Sequence, residues 1–317
     1  MQSHTPFSGW SDDVKENETI FITSSHPEKA RAVAKAYGFK NVVTSADLLA
    51  HDPALYPFEP PKDARPEPLP NGATIFRSDD PTVYDTEALE RSNTLKIDHI
   101  FIWNDPRDWS LDTQILHDIL VSHRGYLGTV SRRNGDGTAP NDGWQADGQP
   151  ALWMSNLDLV WRTQYHINRF GTGAFLEAFK GTWAAVTGGR ELSYRFMGKP
   201  STLTYDYAHD RLLGEYARLQ VGKDRHPLRT VYMVGDNPES DIRGAAEYFP
   251  EDGTEYVPIL VRTGVWQETE RGTSPKWEPA VVVDDVLDAV VWALQREGID
   301  ADRETLLKHE ASSFAQR

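Results

Sequence analysis

The chain has 317 residues, of which 33 are basic and 48 acidic, for a formal charge of −15; apolar types make up 39% and charged types 26%, the balance of a globular protein long enough for two domains. This acidic excess argues against non-specific nucleic-acid binding and against docking on an anionic membrane, which both need a surplus of Lys and Arg. With no cysteine, disulfides, thiol catalysis, Cys-based zinc sites and iron–sulfur clusters are excluded. No apolar run approaches the ~18 residues of a membrane span. The opening MQSHTPFSGWSDDVKENE has neither an apolar signal core nor the Arg-rich, acid-poor pattern of a transit peptide.

In chain order, TIFIT at 19–23 predicts a strand, 27–37 a helix and 41–44 a second strand. Residues 53–70 hold seven prolines, too many for a helix or a central strand, so a loop is expected. HIFIW at 99–103 reads as a buried strand, and Leu111, Ile115, Leu116, Ile119 and Leu120 recur at helical spacing. Residues 131–150 are dense in Gly, Asp and Asn with almost nothing to bury, which predicts a solvent loop. NGDGTAPNDG within it resembles a calcium loop only faintly, because the closing Glu and the flanking helices are absent. A strand is expected at 151–154, and Phe175, Phe179 and Trp183 mark one helix face that stops at Gly188-Gly189. Then follow a strand (192–197), a helix (202–219), a strand (230–234), a helix (241–248), two strands (257–261 and 280–283) and a helix (286–296). Such alternation implies βαβ units, hence an α/β fold with a mostly parallel sheet and helices on both faces.

Two strand-to-helix junctions carry the chemistry. In VYMVGDNPESDIRGA, residues 231–245, an apolar strand ends at Gly235-Asp236, turns through Asn237-Pro238, and meets Asp241 at the entrance of a helix. Ligands of open parallel sheets bind beyond the carboxyl ends of the strands, and two carboxylates so spaced can converge on magnesium. The plainer alternative is that Asp241 caps its helix. In MGKPS, residues 197–201, Pro200 fits a first helical position and Gly198 allows close backbone approach to a ligand. Lys199 would project from the same sheet edge as Asp236, where an ammonium can hold a phosphate as a point charge; alone, a Lys before a helix is usually just solvated.

MGKPS and VGDNPESD together resemble the third and fourth motifs of the haloacid-dehalogenase (HAD) superfamily of aspartate-nucleophile phosphohydrolases. YGFKNVVTSADLL (37–49), SNLDLVW (155–161), RFGTGAF (169–175), MGKPSTLTYDYA (197–208) and ILVRTGVW (259–266) are similar to subfamily IIA, and closely to its cat eye syndrome critical region hydrolase group. The resemblance runs from about residue 2 to residue 298. It implies an α/β cap over residues 1–163, the C-terminal half of a HAD-like core over 164–300, and a tail over 301–317. It also implies a Mg2+-dependent hydrolase of a small phosphorylated metabolite, with Lys199 as the catalytic cation and Asp236 and Asp241 at the metal. Asn156, Asp158, Gly198 and Asn237 are the implied substrate-binding candidates, a simple turn bond being the alternative for Asn156 and Asp158. Relatives in this group include mitochondrial proteins, so a mitochondrial location is expected for the complete protein, and a cytoplasmic one otherwise.

One part of the family pattern is missing. No apolar strand in the sequence ends in Asp-x-Asp, the motif that supplies the nucleophile and the acid/base. Asp105 and Asp108 after HIFIW have the wrong spacing, Asp284 and Asp285 are adjacent and read as a helix cap, and Ser24 and Ser25 only mimic the second motif. The chain is therefore expected to be inactive alone, as an incomplete phosphatase or one that needs a complementary partner. The alternative is a non-catalytic binding or regulatory module. On either reading the strand at 230–234 is expected to keep an unpaired edge.

Overall fold

The computed structural model describes residues 4–59, 65–220, 226–267 and 274–307. Packing divides them into two units, Met1–Leu159 with Phe170–Gly198, and Val160–Arg169 with Lys199–Arg317.

In chain order the first unit holds α1 (Asp12–Asn17), β1 (Thr19–Thr23), α2 (Pro27–Ala36), β2 (Asn41–Val43), α3 (Ser45–His51), α4 (Thr86–Arg91), β3 (His99–Ile102), α5 (Trp109–Val121) and β4 (Ala151–Met154). A two-stranded ribbon, β5 (Val160–Trp161) and β6 (Arg169–Phe170), precedes α6 (Thr172–Val186) and β7 (Arg195–Phe196). The strands form a parallel sheet in the order β2-β1-β3-β4-β7. Side chains alternate across a strand, and here both faces are apolar. Phe21 and Ile100 pack with Ile115 and Ile119 of α5 and with Phe175, Phe179 and Trp183 of α6. On the other face Ile20, Ile22 and Phe101 pack with Ala30 and Ala34 of α2 and with Phe7 and Phe39. Burial on both faces is what makes these strands read as continuous apolar runs.

The packing divides the chain at Leu159/Val160, near the division expected at residue 163, but it returns Phe170–Gly198 to the first unit and resumes the second at Lys199. Helix α6 buries Phe175, Phe179 and Trp183 in the first core, and β7 extends the first sheet beside β4. Helical spacing identifies a buried face but not the sheet it covers, which is why sequence placed these elements in the second unit. The loop at 131–150 is also better anchored than its composition suggests. Asp147 accepts bonds from Ser131 Oγ (2.6 Å) and pairs with His123 Nδ1 (2.7 Å), while His123 Nε2 meets Thr86 Oγ1 (3.0 Å). Asn141 and Gln145 bond the backbone at Glu191 and Ser193, and Asp142 pairs with Arg190. Polar anchoring replaces apolar burial here, and it leaves no signature in periodicity. Within the Pro-rich segment, residues 60–64 lie outside the described residues.

In the second unit, α7 (Thr202–Leu219) precedes β8 (Thr230–Gly235). A π-helical turn (Pro238–Ile242) leads into α8 (Arg243–Glu247), followed by β9 (Glu255–Val261), β10 (Val281–Val283) and α9 (Val286–Arg296). The sheet is parallel, in the order β10-β9-β8. Tyr232 and Val234 pack with Ile259, Val261 and Ala289 on one face; Met233 packs with Tyr205, Ala245 and Tyr248 on the other. Among the described residues β8 is paired on one side only, and all six of its residues are half-buried. Of 301–317, expected as a tail, the described part is tied down by Arg303, which pairs with Asp285 (2.6 Å) and Asp288 (2.7 Å); residues 308–317 lie outside the described residues.

Two outcomes follow for stability. Replacing His123 by Ala strips the half-buried Asp147 of its ring partner and should cost about 1 kcal/mol in urea unfolding; an unchanged midpoint would mean that the loop is held without this contact. Asp112 on α5 is buried and accepts a bond from Ser45 Oγ (2.6 Å), and burial pushes its carboxyl up to about 6. The folded-state value lies above the unfolded one, so the contribution of the neutral acid is complete below pH ~4 and is lost as pH rises through about 6. Relative to Asp112→Asn, the wild type should lose about 3 kcal/mol between pH 4 and 7. Parallel pH profiles for the two proteins would contradict this.

Candidate active site

The site in the second unit starts from the end of β8. Its apolar residues stop at Gly235, and Asp236 and Asn237 lead into the π-helical turn. Asn237 caps that turn: its side chain accepts the Glu239 N–H (3.1 Å), and its carbonyl accepts the Asp241 N–H (2.9 Å). Its own N–H donates to Asp241 Oδ2 (3.1 Å). These bonds fold the Asp241 carboxylate back over the strand end. A Cβ on Gly235 would lie 2.3 Å from Asp241 Cγ, so glycine is required there by the carboxylate beside it. Asp241 was expected in the first turn of an α-helix spanning 241–248; it sits in the π-helical turn, and α8 is shorter, Arg243–Glu247. π-Helical turns are rare and concentrate at functional sites.

Lys199 reaches the same place from the start of α7. Its Nζ donates to Asp241 Oδ1, an ion pair between a side chain 39% exposed and one 4% exposed. Pro200, expected as the first helical residue, lies just outside α7, which begins at Thr202 with Ser201 before it. Asp236 is held by the segment after β9: its Oδ2 accepts the Val265 N–H (2.7 Å), and its carbonyl accepts the Trp266 N–H (3.1 Å). A Cβ on Gly264 would stand 1.9 Å from Oδ2. Among the described residues no hydrogen bond reaches Asp236 Oδ1. Sequence reasoning gave Gly264 and Val265 no role, and the ILVRTGVW string was the only sign of them. It also passed over Tyr205, whose hydroxyl donates to the Asp241 carbonyl (3.2 Å). Burial, then the Asp241 charge, pushes the Tyr205 phenol well above its ordinary value, so it remains a neutral donor.

Lys199, Asp241 and Asn237 thus come together, with Asp236 at the tip of the same strand. Asn156, Asp158 and Gly198 belong to the first unit. There Asn156 Oδ1 accepts the Asp158 N–H (3.2 Å) and the Asp158 carbonyl accepts the Gly173 N–H (2.9 Å), which is the turn-closing arrangement. Gly198 makes its close approach to the chain itself, since a Cβ there would lie 2.1 Å from the Ser155 carbonyl oxygen.

The HAD-hydrolase-like family matches residues 196–289, the stretch that contains this geometry. A mitochondrial hydrolase of Saccharomyces cerevisiae is 31% identical, over 93% of this chain and 77% of its own length. The chain belongs to the HAD-like hydrolases. Another relative of this HAD-like hydrolase is a cardiolipin synthase (CMP-forming)/mitochondrial hydrolase fusion protein of Schizosaccharomyces pombe, 33% identical over 93% of this chain. The chain spans 42% of that fusion protein's length. A crystal structure of a hypothetical protein from Pyrococcus horikoshii OT3 matches with a TM-score of 0.45 at 13% identity, covering 92% of this chain and 74% of that one.

The donor set of this HAD-like hydrolase can be tested against the magnesium that the family implies. Both Asp241 oxygens are engaged, by Lys199 and by the Asn237 N–H, whereas Asp236 has an oxygen to offer. Among the described residues no three His, Asp or Glu side chains gather into a metal cage. One carboxylate, completed by waters and phosphate oxygens, still suits Mg2+, which keeps much of its hydration.

The ion pair itself can be tested. Lys199→Met leaves the Asp241 carboxylate buried without its cation, and the whole chain should lose about 2 kcal/mol, a figure reduced for the exposure of Lys199. Adding Asp241→Asn should recover most of that loss. Additive losses in the double variant would show that the two side chains are not coupled.

Proposed function

We propose that these residues form the phosphate- and cation-holding part of a Mg2+-dependent phosphomonoesterase of HAD subfamily IIA, acting on a small phosphorylated metabolite. The observation that carries this reading is the Lys199–Asp241 pair standing beside Asp236 at the carboxyl end of a parallel sheet, where such sheets bind ligands. Lys199 would hold a phosphate oxygen, positioned by its ion pair with the Asp241 carboxylate. Asp236 would ligate Mg2+ through Oδ1, with Oδ2 fixed by the Val265 N–H, and Asp241 would support the metal only through its hold on Lys199. When bound, the cation would neutralise charge on the transferred phosphoryl group. The first unit would serve as the substrate-selecting cap, with Asn156, Asp158 and Gly198 as its candidate residues, and Asn237 would line the phosphate site of the second unit. The names of the two fungal relatives support a mitochondrial location.

The 317 residues contain no Asp-x-Asp after an apolar strand, and on this reading the nucleophilic carboxylate would come from outside them. That absence also favours a second reading, a module that binds phosphate without turning it over.

The test uses the whole chain, Mg2+ and p-nitrophenyl phosphate. No release above that of Lys199→Met is expected, while inorganic phosphate should bind and lose at least tenfold in affinity in Lys199→Met, roughly one charge-assisted contact. Mg2+-dependent release by the chain would overturn the placement of the nucleophile; failure to bind phosphate would overturn the site. A peptide reading as an apolar strand ending in Asp-x-Asp-Gly separates the two readings: release on its addition supports the enzyme, and binding without release supports the module.

A further inference from the structure

We propose, resting on that reading of Lys199 and Asp241, that Tyr205 is a positioning residue which holds the π-helical turn in the form that aims Asp241 at Lys199. Tyr205 lies on the first turn of α7, the helix that Lys199 leads into, and is 4% exposed. Its hydroxyl donates to the Asp241 carbonyl (3.2 Å). The start of α8, which continues the turn, packs directly on the phenol, since a Cβ on Gly244 would lie 2.4 Å from its oxygen. The ring is itself braced by Tyr248 and Tyr256, with centroids 5.2 and 6.0 Å away. One side chain thus links the helix that delivers the cation to the turn that delivers the anion. π-Helical turns are rare and concentrate at functional sites, and this one has a hold from outside as well: the Tyr205 hydroxyl is a buried donor placed on the Asp241 carbonyl. Without it the Asp241 carbonyl loses a partner in a buried site, and the turn can relax and carry the carboxylate away from Lys199. Small displacements at such a site are expensive for function.

The experiment reads the Lys199 ammonium by 1H–15N correlation NMR on the whole chain, assigned with Lys199→Arg, together with inorganic phosphate affinity by calorimetry. In Tyr205→Phe the Lys199 signal should move to the position of solvent-exposed lysines and phosphate affinity should fall about three- to tenfold, the cost of one hydrogen bond. Tyr248→Phe is the control: it removes a phenol hydroxyl from the same cluster, one that bonds Asp206 (3.0 Å), and should leave both readouts unchanged. Gly244→Ala, which displaces the ring but retains the hydroxyl, should move the Lys199 signal in the same way and serves if Tyr205→Phe does not fold. An unchanged Lys199 signal in these Tyr205 and Gly244 variants, or an equal change in Tyr248→Phe, overturns the proposal. A wild type that binds no phosphate while its Lys199 signal still responds to Tyr205→Phe upholds the positioning role and overturns the phosphate reading instead.

Discussion

The second unit is organised around one buried carboxylate. Asp241 lies at the end of β8, where an unbalanced charge would be costly, and the neighbouring sequence can be understood as the means of keeping it there. Gly235 vacates the space for it, Asn237 donates an N–H to it, and Lys199 supplies the countercharge from another element. The same constraint explains the local backbone. An α-helical turn would carry residue 241 on around the helix axis, whereas the wider π-helical turn lets it fold back on the strand. The carboxylate that must be neutralised thereby fixes the Lys199 ammonium beside the end of β8.

Asp236 is held on different terms. Its carboxylate is anchored by a single backbone N–H and leaned upon by a residue with no side chain. One oxygen is spent on orientation, and among the described residues the other receives no hydrogen bond. The two acids of the GDNPESD string therefore have unequal work, although in sequence they look alike.

Much of this was legible beforehand. The β-branched runs at 19–23 and 230–235, the four-residue stripe of Phe175, Phe179 and Trp183, and the helix at 202–219 announce themselves by periodicity. Lys199 and Asp241 were recognisable because both stand at strand-to-helix junctions, although β7 and β8 belong to different sheets, so the expected common sheet edge is not what joins them. Helices α1, α3 and α4 escaped notice because they are six or seven residues long and are specified by caps: Ser11, the Thr44–Asp47 capping box and Asp85. The unit boundary escaped because a buried helix face does not name its partner. Val265 contributes through its backbone, and Tyr205 through a hydroxyl on an otherwise apolar ring; neither role has a compositional signal.

The one-sided pairing of β8 among the described residues has a consequence for the life of the molecule. Its outer edge lies next to Asp236, at the strand that ends in the candidate site, so any segment that came to lie against it would arrive beside the place where a phosphate would bind. Shelter from aggregation and assembly of a working centre would then be a single event. Selection for solubility would then act on the same contacts as selection for turnover.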